Sequence, residues 1–158
     1  AFDRRAQETT VATQWCGNIA HPGTAILGHA LLADLVVMSV PTVSDFAHAD
    51  YLEIAAGSGS PVLRLGSGIE TTSFEKILIG WKDSREARCA LRGALPFLQR
   101  AKEVVLAGVG VDASPDRLAE VRDNLSACGV DAQILHFESN DFAPGKMLTN
   151  LASAENFD

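Results

Sequence analysis

The chain has 158 residues, enough for one ordinary domain with a real core, and its 47% hydrophobic and 21% charged residues are a globular balance. A net charge of −7 argues against a nucleic-acid partner, which needs a basic face, and no apolar run reaches the length of a membrane span. Three cysteines, Cys16, Cys89 and Cys128, show no CxxC or metal spacing, which points to a reduced, cytoplasmic setting.

In chain order, residues 1–7 read as the tail of a helix. Residues 10–15, TVATQW, alternate and predict a short strand. Residues 22–32 suit a helix with Pro22 in its first turn. The run 34–40, DLVVMSV, has the length and continuity of a strand covered on both faces. Residues 44–56 fit a helix with Phe46, Ala49, Leu52 and Ala56 inward and Gly57 ending it. PVLRL, 61–65, is a strand in which Pro61 fits only the first position. The stretch 66–73, GSGIETTS, has linker composition.

The strongest signal follows. Residues 76–81 form a strand, 82–84 a turn, and 84–101 an amphipathic helix with Ala87, Leu91, Ala94, Leu95, Leu98 and Ala101 on one face. Asp83 and Glu86 have capping-box spacing, and Pro96 predicts a bend. Residues 103–108 are a buried strand. Ser114–Pro115 starts a helix whose face is Leu118, Val121, Leu125 and Cys128, and Gly129 stops it. Residues 131–137 are a strand, and Asp141 caps a last helix reaching Ala154. Alternating strands and helices, about six strands in all, predict an α/β fold: a parallel sheet with helices on both faces.

In open α/β sheets ligands bind beyond the carboxyl ends of the strands. Those ends carry Gly80, Trp81, Lys82, Asp83 and Ser84, then Val109 and Val111, then Leu135 and His136. Each has a plainer role to set beside ligand contact: Asp83 and Ser84 as helix caps, His136 as a half-buried strand histidine. Three decoys fall away. Gly108-Val-Gly110-Val-Asp112-Ala113 matches a dinucleotide fingerprint, but Ser114–Pro115 starts the helix after the glycines and Asp112 would face pyrophosphate; both glycines read better as a flexible strand end. Trp15-Cys16-Gly17 lacks the second thiol of a redox pair, since residue 19 is isoleucine. His21, His29 and His48 have no metal-ligand spacing, and no arrangement suggests nucleophilic catalysis. Cys89 and Cys128 read as small core residues.

The segment ILIGWKDSREARCALRGALPFLQRAKEVVLAGV resembles the first strand, helix and second strand of universal stress proteins, the bacterial type with two modules in tandem. DRLAEVRDNLSACGVDAQILH resembles that family's second helix and third strand; LLADLVVMSVP resembles the fourth strand and GSGSPVLRL the fifth. Residues 1–68 thus resemble the second half of one module and 69–158 the first half of the next, either two parts of a longer tandem protein or halves completing one permuted domain. The resemblance implies a flavodoxin-like, adenine nucleotide alpha hydrolase-like fold with five parallel strands in the order 3-2-1-4-5. It implies a stress-response binding and regulatory module, ATP or another adenine nucleotide as ligand, and a homodimer. Binding members place a glycine-rich phosphate motif after the fourth strand. Here the run from Met38 to Asp45 has no glycine and includes Pro41 and Asp45. The family's adenosine-contacting Asp falls on Lys82, one residue before Asp83. Two other classes compete: a nucleotide-dependent enzyme on the related fold, and a structural dimerisation module with a degenerate pocket.

Overall fold

A computed structural model describes residues 10–17, 19–39, 48–66, 73–138 and 143–158. Among these are five helices and five strands in an α/β arrangement: α1 (Pro22–His29), β1 (Val36–Ser39), α2 (Tyr51–Ser58), β2 (Val62–Leu65), β3 (Lys76–Trp81), α3 (Arg85–Leu98), β4 (Glu103–Val109), α4 (Pro115–Ala127), β5 (Gln133–Phe137) and α5 (Pro144–Ala154). A 3-10 turn, Val111–Ala113, joins β4 to α4. No helix of the described residues is long and apolar enough to cross a membrane.

All strand pairs are parallel, but the described strands make two sheets rather than the single sheet expected. One holds β1 and β2; the other has the order β3-β4-β5. The second sheet carries the main core. In β4, Val104, Val105, Leu106 and Ala107 are all buried, as a central strand covered on both faces requires. Ile77, Ile79 and Trp81 of β3 point to one face with Leu106 and Ile134, where they meet Leu98 of α3 and Leu118, Val121 and Leu125 of α4. All six expected apolar positions, Ala87 to Ala101, lie on this core, although α3 ends at Leu98 and Ala101 follows it. On the opposite face, Leu148 of α5 reaches Gly80: a Cβ there would sit 2.9 Å from its Cδ1. α3 and α4 thus cover one face of this sheet and α5 the other.

Local chemistry sets the boundaries. Ser84, not Asp83, caps α3, its hydroxyl accepting the Ala87 N–H at 3.2 Å. Ser114 caps α4 ahead of Pro115, and Gly129 follows α4 at φ 80°. Asp50 caps α2, its carboxylate accepting the Leu52 N–H; the helix ends at Gly59 (φ 71°) rather than Gly57.

The first half departs furthest from expectation. Residues 10–15 form no strand; Val11 and Trp15 are exposed. No described strand pairs with this segment. β1 is not covered on both faces, since Val37 is 55% exposed. In α2 the buried residue is Ile54, while Leu52 and Ala56 face outward. Only Pro22–His29 of the 22–32 stretch is helical. Cys89 and Cys128 are exposed: Cys89 lies off the buried face of α3, and Cys128 follows α4 as its C-cap. The 1–7 helix, Phe46, most of the 66–73 linker and Asp141 lie outside the described residues. The last helix starts at Pro144, with Ala143 at its N-cap and no side-chain cap.

Candidate functional site

Parallel pairing puts the carboxyl ends of β3, β4 and β5 along one edge of the sheet, with Trp81 beside Gly108, and Gly108 beside His136. The Gly80–Ser84 turn, the Val109–Val111 segment and Leu135–His136 therefore meet there, as expected. Their side chains divide the work differently from expectation. Trp81 belongs to the core, with its indole Nε1–H buried and without an acceptor among the described residues; no neighbouring group accounts for this. Gly80 is a contact point for α5. Val111 (93% exposed) presents apolar surface at the rim, while Leu135 (39% exposed) pairs with Ala107 and so shares the face of Gly80. His136 is half-buried, its Nε2 3.2 Å from the Gly110 carbonyl.

Polar contacts tie the turns together. The Asp83 N–H donates to the Asp112 carbonyl at 3.2 Å, and Lys82 Nζ lies 3.1 Å from the Asp112 carboxylate. The Asp83 carboxylate accepts from Arg88 of α3 and, at 2.9 Å, from Arg117 Nε of α4. Arg117 also pairs with Glu120. The Arg88 and Arg117 guanidinium groups hold the Asp83 carboxyl below the ordinary aspartate value of 3.8, and Asp83 with Glu120 raises Arg117. Glu86 is also lowered, by its own backbone N–H and then by Ser84. Asp83 is thus a charged tie between the first turns of two helices, and not a cap.

The glycines after β4 have steric reasons. Gly110 adopts φ 73°, ψ −165°, a region open essentially to glycine alone. Gly108 is closely packed rather than a flexible strand end: a Cβ would lie 2.6 Å from Ala113 Cβ. The dinucleotide reading fails on the same ground, because the 3-10 turn fills the space over Gly108.

Sequence reasoning missed Arg88 and Arg117, and met Asp112 and Gly110 only within the rejected dinucleotide fingerprint. One signal was present: Arg117 stands in the first turn of α4, where a cation opposes the helix dipole. Such a residue wants a carboxylate, and the parallel topology brings Asp83 to it.

The tie makes stability sensitive to acid. The folded-state pKa of Asp83 is lowered, so its contribution is present above pH 3.8 and is lost as pH falls through the folded value. Asp158 behaves alike, lowered first by the Lys76 N–H and then by Glu75 and Ser73. The thermal midpoint is expected to hold steady from pH 8 to 5 on this account and to drop on acidification below about 4. Thermal scans of the chain and of Asp83→Asn check this, the variant showing a shallower drop.

No group of three or more His, Cys, Asp or Glu side chains among the described residues is placed to hold a metal ion. Comparison with protein-family models, with curated proteins and with solved structures gives no match.

Proposed function

We propose that this chain is a universal-stress-protein-like binding and regulatory module, built from parts of two tandem units, whose ligand is ATP or another adenine nucleotide. The observation that carries the reading is the gathering of three segments, Gly80–Ser84, Val109–Val111 and Leu135–His136, towards the carboxyl edge of a parallel sheet. The sequence resemblance supports it, and so does the strand order. The observed orders β5-β4-β3 and β1-β2 match the 3-2-1 and 4-5 parts of that family's strand order, and α5 on the face opposite α3 and α4 is compatible with a further neighbour beside β3. In a sheet of that order the nucleoside rests on Val111 at the rim, with backbone groups of residues 109–111 and the turn after β3 as polar contacts.

The phosphate end is poorly provided. The run from Met38 to Asp45 has no glycine, and Lys82, Arg88 and Arg117 are each paired with carboxylates. Recognition therefore falls on the nucleoside. In isothermal titration, ATP and adenosine are expected to bind with dissociation constants within about tenfold of each other, a difference below about 1.4 kcal/mol. Absence of heat and of thermal stabilisation with both ligands would remove the nucleotide claim.

That self-neutralised cluster favours one second reading: a structural module with a degenerate pocket. It predicts dimerisation with no response to nucleotide. An enzyme of the related fold would instead turn over ATP in the presence of a divalent metal, which a product assay detects.

A further inference from the structure

Two strand edges of this chain carry backbone groups with no partner among the described residues, and they match. On β3, the Glu103 N–H of β4 donates to the Glu75 carbonyl. By the alternation of a parallel ladder, the N–H and C=O groups of Lys76, Leu78 and Gly80 then point away from β4. On β1, the Val36 N–H donates to the Pro61 carbonyl, so those of Val37 and Ser39 point away from β2.

Lys76 is already occupied in the manner of a neighbouring strand. The Asp158 N–H donates to the Lys76 carbonyl at 2.9 Å, and the Asp158 carboxylate accepts the Lys76 N–H at 2.8 Å. Lys76 Nζ also lies 4.7 Å from the centre of the Phe157 ring. The open ladder positions on β3 are Leu78 and Gly80, two in number. The outward positions on β1 are Val37 and Ser39, also two. Val37, 55% exposed, supplies the apolar side chain for the junction.

Within one chain β1–β2 forms its own sheet, and Pro61 at its start packs on Gly93 of α3, where a Cβ would meet it at 2.4 Å. We propose that a second copy of this chain supplies the missing neighbour: β1 of one copy adds in parallel to the free edge of β3 of the other, and the reverse. Each copy owns one β1 edge and one β3 edge, each with outward N–H and C=O groups, so a two-fold pair closes both junctions. Each junction makes a five-stranded sheet, β5-β4-β3-β1-β2, and removes two exposed edges. The inference rests on the strand order of the proposed module and requires no nucleotide.

Two proline variants test it. The N–H groups of Val37 and Leu78 face away from β2 and β4, so Val37→Pro and Leu78→Pro keep the ladders within each copy and block only the new one. Light scattering after size exclusion is expected to give twice the chain mass for the parent and the chain mass for each variant. Mixing the two variants restores a dimer, because the intact β3 edge of one meets the intact β1 edge of the other. Amide exchange of the parent gives a readout independent of the variants: Val37 and Leu78 are protected in the dimer and lose protection on dilution. A monomeric parent, a Val37→Pro dimer as tight as the parent, variants that fail to complement, or unprotected Val37 and Leu78 amides in a dimer would each overturn the proposal. Nucleotide titration is separate, so a failed interface and a failed ligand reading are told apart.

Discussion

Leu106→Ala is expected to destabilise the β3-β4-β5 half by about 2–5 kcal/mol. Leu106 lies at the middle of the central strand and is fully buried, packed among Trp81, Leu98, Leu118 and Ile134. Removing three side-chain carbons loses their transfer free energy and leaves a cavity, because strands β3 and β5 hold β4 in register and prevent collapse. A domain with about 5–15 kcal/mol of stability loses a large share of it. Urea denaturation checks this: the midpoint should fall with little change in slope. A loss below about 1 kcal/mol would mean that this core repacks freely.

Gly108→Ala should do comparable damage by the opposite route, about 1–3 kcal/mol from overpacking. The new methyl would lie 2.6 Å from Ala113 Cβ, 2.9 Å from Leu118 Cδ1 and 3.1 Å from the Ala113 carbonyl oxygen. Leu118 can rotate away, but Ala113 belongs to the 3-10 turn and can move only with the backbone. That turn carries Asp112, which accepts from the Asp83 N–H and pairs with Lys82. The substitution therefore disturbs the candidate site as well as the core. Ala113→Gly in the same chain removes the tightest contact. The double variant is expected to be more stable than the sum of the two single changes implies, a coupling read by a double-mutant cycle.

Both sites fall in the half of the chain where sequence and structure agree best. The β3–α3 unit was legible because two periodicities meet at Lys82. Strand alternation ends there and a 3.6-residue repeat begins, and the face from Ala87 to Ala101 needs only those rules. Ser114, Pro115 and Gly129 likewise act locally. The first half was less legible because its burial depends on neighbours. Val37 is apolar within an apolar run, yet nothing described covers the β1 edge. Leu52 and Ile54 are equally apolar in α2, and only the placement of that helix buries Ile54.

The site was legible in position but not in wiring. The rule about strand ends located Gly80–Ser84, Val109–Val111 and Leu135–His136. The roles of Asp83 and Trp81 came out differently, since a tie to Arg117 spans 34 residues and a core side chain is set by sheet alternation. Cys89 and Cys128 show the same limit: helical position alone does not say which face a neighbour covers.

The proposed function puts an adenine nucleoside at the carboxyl edge of the β3-β4-β5 sheet. Amide chemical-shift mapping during an ATP titration tests it most directly. Shifts are expected to concentrate at Gly80–Ser84, Val109–Val111 and Leu135–His136, and adenosine is expected to reproduce them. Saturating ATP with no shifts, or with shifts confined to the opposite ends of the strands near Lys76, Glu103 and Gln133, would contradict it.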